Sequence, residues 1–418
     1  MSHLGLVSAL SAASKGAEVV CFDFDISLIK NLKIGHFPID EPGLEEVFKK
    51  HERNLKFTNE LSDIKECCLV YISLDVPTDS SGESDLGPIR HLIETCLAML
   101  PPNSNLVILS QVAPGFSRQI QNQASVSISY QVETLIFGSA FERATQPERF
   151  LIGLQQPSFE VHPCHKAFLN LFNAPIIKMS YESAELAKIS INVFLAASVS
   201  ATNTMAEISS KLGADWNHVR MALTSDSRIG PLAYTRPGLG ISGGNVERDI
   251  ATALRISKEM GTNSGLLRSL TQNSQYYKLW PLRIVQNIFP DDKKTRIMAV
   301  WGISYKKGTH SVKNAPSIEN LSFFSNHFEI RFYDPIVKTV EIDNGALISE
   351  TTALEAVDGA DVLVIFNDSE IFQKYSQAEL IERMRGKVVI DPFGVLSFER
   401  FDNMQYFTLN IARYVNEL

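Results

Sequence analysis

Ala17-Glu18-Val19-Val20-Cys21-Phe22-Asp23 reads as a short apolar strand that ends in an acid. Met1-Ser2-His3-Leu4-Gly5-Leu6-Val7 precedes it, followed by a helical stretch of small residues. Asp23 lies 18 residues past Gly5. A dinucleotide fingerprint sets its last glycine and its ribose-binding acid about that far apart. The strand that should precede the fingerprint is absent, as is the first glycine, and Ser2 takes the second glycine position. A doubly wound domain without that strand loses the centre of its sheet. The expectation is therefore that Met1 is an internal methionine with the true start upstream. The alternative is a domain that has lost dinucleotide binding.

Outward from this stretch, further apolar runs alternate with helical patterns. Leu69–Leu74 and Leu106–Ser110 read as buried strands. A helical pattern runs from Glu182 to about Leu212 and places Lys188 and Asn192 one turn apart on one face. Pro237-Gly-Leu-Gly-Ile-Ser-Gly-Gly-Asn-Val-Glu-Arg-Asp249 follows, with four glycines between Gly238 and Gly244. Such a run lets backbone approach a ligand closely, and the periodic residues Ile250, Ala253, Leu254 and Ile256 make it a loop feeding a helix. Composition alone leaves a plain glycine-rich turn equally open. Asn273–Ile288 reads as a helical linker. Beyond it, Arg296–Trp301, Glu329–Asp334, Asp361–Phe366 and Lys387–Asp391 read as the strands of a second α/β unit. The fold class is α/β: two Rossmann-like domains, residues 1–175 and 290–418, joined by a central helical dimerisation domain, residues 176–285.

The chain has 418 residues, enough for two or three domains, and is 44% hydrophobic and 21% charged. A net charge of −8 argues against a nucleic-acid footprint. No apolar run approaches the ~20 residues of a membrane span, and no secretory pattern opens the chain, so a cytoplasmic protein is expected. The five cysteines, Cys21, Cys67, Cys68, Cys96 and Cys164, show no framework spacing and no metal-ligand spacing. None lies beyond Cys164.

The glycine-rich loop resembles the substrate loop of the UDP-glucose/GDP-mannose dehydrogenase family, G-x-G-G-S-C-F-x-K-D. Asn245 stands where that family has its nucleophilic cysteine, Arg248 stands for the lysine, and Asp249 matches. The resemblance is colinear over nearly the whole chain. Gly35-His-Phe-Pro-Ile-Asp-Glu-Pro-Gly-Leu44 is similar to G-x-x-P-I-x-E-P-G-L, and Glu182–Ala196 reproduces E-x-A-E-L-x-K-x-x-x-N-x-F-L-A. Val76-Pro77-Thr78 matches a turn beside the cofactor's adenosine, and Ser110-Gln111 stands at S-T, where Gln111 replaces a catalytic threonine. Glu133 matches the general base; Leu135 and Phe137 follow in the same loop, Phe137 replacing a second glutamate. Ser227-Arg228-Ile229-Gly230 resembles a segment whose arginine reaches the nucleotide sugar across a dimer interface. Tyr305-Lys306 matches a substrate-binding lysine turn, and Phe393 replaces a substrate arginine.

The resemblance implies a homodimer that oxidises a nucleotide sugar, with NAD held by Gly5, Leu6, Asp23, Val76–Thr78, Ser110 and Gln111. A carboxylate at Asp23 favours NAD, because it would repel a 2′-phosphate. It assigns catalytic roles to Glu133, Lys188, Asn192, Asn245 and Asp249, and substrate contacts to Leu135, Phe137, Lys188, Asn192, Arg228, Gly243, Tyr305, Lys306 and Phe393. Family members oxidise C6 twice, capturing the aldehyde as a cysteine adduct. The amide of Asn245 is no nucleophile, so the second oxidation is expected to suffer far more than the first. Two readings stay open: a dehydrogenase that stops at one oxidation, and a catalytically silent relative that binds a nucleotide sugar.

Overall fold

The apolar runs become the strands of two sheets. The computed structural model describes residues 1–39, 41–79, 84–290, 296–396 and 404–409, and the chain divides into two units, Met1–Ile191 and Asn192–Leu418.

In the amino unit, β1 (Val19–Phe22) pairs in parallel with β2 (Leu55–Thr58) as a two-stranded sheet. β3 (Leu69–Ile72), β4 (Asn105–Ile108), β5 (Ser127–Gln131), β6 (Phe150–Leu154) and β7 (Ile176–Ser180) form a five-stranded sheet in that order. All its pairs are parallel except β5 with β6. Leu106, Val107 and Ile108 of β4 are fully buried, as expected for a parallel strand covered on both faces. Among the described residues, β1 pairs with no strand but β2, and β3 with no strand but β4. Both therefore present an open edge to a cavity of about 1340 Å³ that their residues line. The interruption falls where the missing first strand was expected.

The first helix begins at His3, capped by Ser2, earlier than the sequence reading set it. Its buried Leu6 and Leu10 pack with Leu44 and Phe48 of the helix Leu44–His51.

In the carboxyl unit, β8 (Ile297–Trp301), β9 (Glu329–Tyr333), β12 (Val362–Ile365), β13 (Val388–Ile390) and β14 (Gln405–Phe407) form a parallel sheet in the order β14-β13-β12-β8-β9. β10 (Thr339–Ile342) and β11 (Gly345–Ile348) add a separate antiparallel hairpin. The order reverses between β8 and β12, the position where α/β sheets open a binding crevice. Gly302 follows β8 with φ +80, and a Cβ there would meet the Asn367 side chain at 2.6 Å, so only glycine fits.

The expected linker is two helices, Gly265–Lys278 and Trp280–Ile288, separated at Leu279, with Pro281 in the first turn of the second. The helix Tyr181–Leu212 is long and apolar enough to cross a membrane by length and composition, contrary to the sequence reading. Its polar groups are engaged within the protein: Asn192 bonds Asp249, and the Thr202 hydroxyl donates to the Tyr234 carbonyl at 2.7 Å. Those bonds fit an interior helix of a folded unit.

Candidate functional site

The carboxyl ends of β1 and β3 frame the first half of the site. Ser2 sits between them: its hydroxyl donates to the Ser73 carbonyl at 2.8 Å and accepts from the Gly5 amide at 3.4 Å. A Cβ on Gly5 would lie 2.7 Å from Ser73 Oγ, so glycine is required for the helix to approach this closely. Asp23 projects from the end of β1 and pairs with the amino group of Met1. A helix N-terminus, a glycine cradle and an acid at the end of the next strand fit a dinucleotide's pyrophosphate and ribose. Leu6 is buried behind the glycine.

Val76 is buried, and the Pro77 carbonyl accepts from the Asp85 amide at 2.9 Å. Thr78 bridges to Ser84. The Ser110 hydroxyl is spent inside the fold, donating to the Leu74 and Ile72 carbonyls at 2.6 and 3.2 Å. It ties the ends of β3 and β4 together. Gln111 follows directly, half-buried.

Glu133 lies two residues past β5 and lines the cavity. Burial pushes its carboxyl above the ordinary range; the Thr134 amide at 2.6 Å and the charge of Lys188 pull back the other way. The structure thus brings Glu133 and Lys188 into electrostatic range. The loop after Glu133 is braced by Glu41, whose buried carboxylate accepts from the Gly138 and Ala140 amides at 3.0 and 2.6 Å and meets His3 at 3.1 Å. The His3 ring lies against Phe137, with centroids 4.2 Å apart, and Leu135 packs beneath.

Glu185 was not singled out by sequence. From the long helix it accepts the Gly115 and Ser117 amides at 2.6 and 2.8 Å, capping the helix that follows β4. Burial raises its pKa.

The second half is gathered around the glycine-rich loop. Gly240 and Gly243 take positive φ, and the loop ends in the helix Asn245–Glu259. A Cβ on Gly243 would meet the Tyr305 ring at 2.9 Å, one on Gly238 the Phe393 ring at 3.0 Å, and one on Gly244 the Lys313 side chain at 3.4 Å. Arg248 Nη2 donates to Asn245 Oδ1 at 3.2 Å. Buried Asp249 accepts from Asn192 Nδ2 at 2.5 Å. Glu247, in the same first turn, accepts from Lys278 and from Asn314. Gly243, Asn245, Asp249, Asn192, Tyr305 and Phe393 therefore cluster, and Lys313 joins them unpredicted. Lys306 lies over the Tyr305 ring at 5.8 Å. Arg228 is exposed and pairs with its neighbour Asp226 at 2.6 Å. No candidate partner of the glycine loop bonds it among the described residues.

The whole chain has recognisable relatives. Residues 1–171 match the NAD-binding domain of the UDP-glucose/GDP-mannose dehydrogenase family, residues 182–275 its central domain, and residues 299–398 its UDP-binding domain. The chain is 28% identical to the UDP-glucose 6-dehydrogenase TuaD of Bacillus subtilis, over 98% of this chain and 91% of that one. It is 25% identical to a UDP-glucose 6-dehydrogenase of Pseudomonas aeruginosa, over 98% and 96%. In fold it is similar to a UDP-D-ManNAc dehydrogenase of Pyrococcus horikoshii (TM-score 0.86, 21% identity, 98% and 97% covered). It is similar also to a UDP-glucose dehydrogenase of Pyrobaculum islandicum (TM-score 0.85, 22% identity, 98% and 96% covered). Three consecutive domain matches, in order, on a fold with two parallel sheets and a glycine-loop helix between them, decide the matter: the chain belongs to the UDP-glucose/GDP-mannose dehydrogenase family, and NAD is its cofactor.

Proposed function

We propose that this family member oxidises the C6 hydroxyl of a UDP-sugar to the aldehyde and releases it after one hydride transfer. The observation that carries the reading is Asn245 at the first residue of the helix after the glycine loop, its side-chain oxygen engaged by Arg248. A carboxamide nitrogen has its lone pair delocalised and forms no adduct with an aldehyde of the kind a thiolate forms. No cysteine lies between residues 165 and 418 to replace it.

The first oxidation asks less of the protein. NAD, when bound, accepts the hydride from C6. Glu133, held partly protonation-ready by burial, takes the hydroxyl proton directly or through water. The Lys188 ammonium favours the developing alkoxide, and Asn192, fixed against Asp249, orients the sugar. Gly243 and Tyr305, with Lys306 and Phe393, bind the nucleotide portion. Leu135 and Phe137 line its path, and Val76–Thr78 and Gln111 flank the cofactor. The products are the aldehyde, NADH and one proton.

The boundaries proposed for the three parts are residues 1–175, 176–285 and 290–418. A homodimer is proposed through the central helices. Phe194 and Leu212 of the long helix are 76% and 78% exposed, more apolar surface than a helix face normally leaves in water. A cytoplasmic setting suits a nucleotide-sugar substrate.

Counting NADH formed per UDP-sugar consumed tests the reading. One is expected; two at an undiminished rate overturns it. A second reading, a silent relative that binds the nucleotide sugar, is favoured by the Met1 amino group seated on Asp23, the acid that a ribose would need. Turnover of any UDP-, GDP- or dTDP-sugar with NAD eliminates it.

A further inference from the structure

The cavity of the amino unit has an unusual wall. On one side stand Val20 and Phe22 of β1, on the other Leu69 and Tyr71 of β3. The Asp23 amide bonds Thr58 of β2's end, so by alternation Cys21 and Val19 also face β2 while Val20 and Phe22 face the cavity. On β3, the Cys68 and Ile72 carbonyls serve the β4 side, so Leu69, Tyr71 and Ser73 face the cavity; Ser73 does so visibly, accepting from Ser2. Two strand edges running the same way thus confront each other with their backbone groups turned inward. Above and below lie apolar side chains, including Ala9 and Ala12 of the first helix and Leu92 and Phe168.

We propose that this cleft is a strand acceptor: it takes one short, apolar, extended segment, parallel to β1 and β3 and joined to the amino group of Met1. Two open edges define the site. The polarity follows from the chain nearby. Met1 pairs with Asp23 past the carboxyl end of β1, and Ser2 with Ser73 past the carboxyl end of β3. A segment ending at Met1 enters between the two edges in the direction both already run. The Met1 ammonium is partly buried and its pKa is lowered by desolvation, a cost that a neutral peptide N–H at the same point does not carry. With helices above and below, the segment needs apolar residues on both faces, the pattern of a buried parallel strand. Four or five residues suffice, because β1 and β3 are each four long. At 1340 Å³ the cleft exceeds the ~300–1,000 Å³ of an ordinary small-molecule pocket, as a polypeptide occupant requires. Filling it joins the two sheets into one seven-strand-plus-one layer and fixes Ser2 and Gly5, the residues that meet a dinucleotide.

The test fuses five Val/Ile residues to Met1 and compares this with a five-residue Ser/Asn fusion and the unextended chain. The Val/Ile fusion is expected to raise Tm by more than about 5 °C. It is also expected to slow amide exchange at Val20, Phe22, Leu69 and Tyr71 at least about tenfold. Equal behaviour of the two fusions overturns the proposal, as does slow exchange of those four amides in the unextended chain. A free Val/Ile peptide that reproduces the full gain overturns the covalent attachment at Met1. A Thr-Val-Thr-Ile-Val fusion guards against insolubility; failure of both apolar fusions to fold counts against the site, since a seated strand is buried.

Discussion

Arg248 donates from Nη2 to Asn245 Oδ1 across 3.2 Å, so the side chain at the first position of the helix after the glycine loop is held by a guanidinium one turn on. A thiol at that position would sit beside the same positive charge and at the same helix N-terminus, two influences that lower a cysteine's pKa. Asn245→Cys is therefore expected to restore the second oxidation. NADH per sugar rises from one to two, the second step speeds at least about tenfold, and intact-mass analysis finds an acyl adduct on the new cysteine. An unchanged ratio of one with full first-step activity contradicts this.

Glu133 sets a pH dependence. Burial raises its pKa above the ordinary carboxylate value of about 4.3. As a base it acts when deprotonated, so kcat/KM climbs with pH through that raised pKa. Glu133→Gln removes the climb and costs about 10²–10⁴-fold in rate. Stability runs the opposite way. A carboxyl that binds its proton more tightly folded than unfolded loses stabilisation as pH rises from the unfolded to the folded pKa. Chemical denaturation across that window is expected to show a smaller decline for Glu133→Gln than for the wild type.

Glu185 holds two amides at the start of the helix after β4. Glu185→Ala strands both in a buried setting, at about 1–3 kcal/mol each. A loss of about 2–4 kcal/mol, or a Tm fall of about 4–16 °C, is expected for the amino unit. Glu185→Gln, which keeps one good acceptor, loses less. Calorimetry distinguishes the three.

Gly243 has φ +83 and leaves no room for a Cβ before the Tyr305 ring, 2.9 Å away. Gly243→Ala combines a backbone cost of about 1–2 kcal/mol with that contact. Nucleotide-sugar binding is expected to weaken about tenfold by titration calorimetry. Tyr305→Ala in the same chain recovers the steric share but not the backbone share, so the two changes are non-additive.

Much of this was legible in the sequence because of where apolar residues cluster. β4, β8 and β12 are buried on both faces, so Leu106–Ile108, Met298–Trp301 and Val362–Ile365 are unbroken apolar runs. The glycine loop and its helix were legible because only glycine fits at Gly240 and Gly243 and because Ile250 and Leu254 keep a helical period. The interruption beside β1 was legible from the fingerprint that starts too late. What escaped was set by partners far along the chain. Glu41 meets Gly138 across 97 residues and Glu185 meets Gly115 across 70, and nothing local marks either as buried. β2, β14 and the β10–β11 hairpin are three or four residues each, with half their residues exposed, too short for a period to register. Arg228 was expected among substrate contacts, yet in the single chain its charge is answered by Asp226.

All five free thiols lie in the unit Met1–Ile191, with Cys21 and Cys96 buried. A maleimide dye on the unmodified protein therefore colours one unit and leaves Asn192–Leu418 dark. The Asn245→Cys protein would carry the sole sulfhydryl of the dark half, so tryptic peptides from that half give an unambiguous readout of whether an electrophile has reached the sugar pocket.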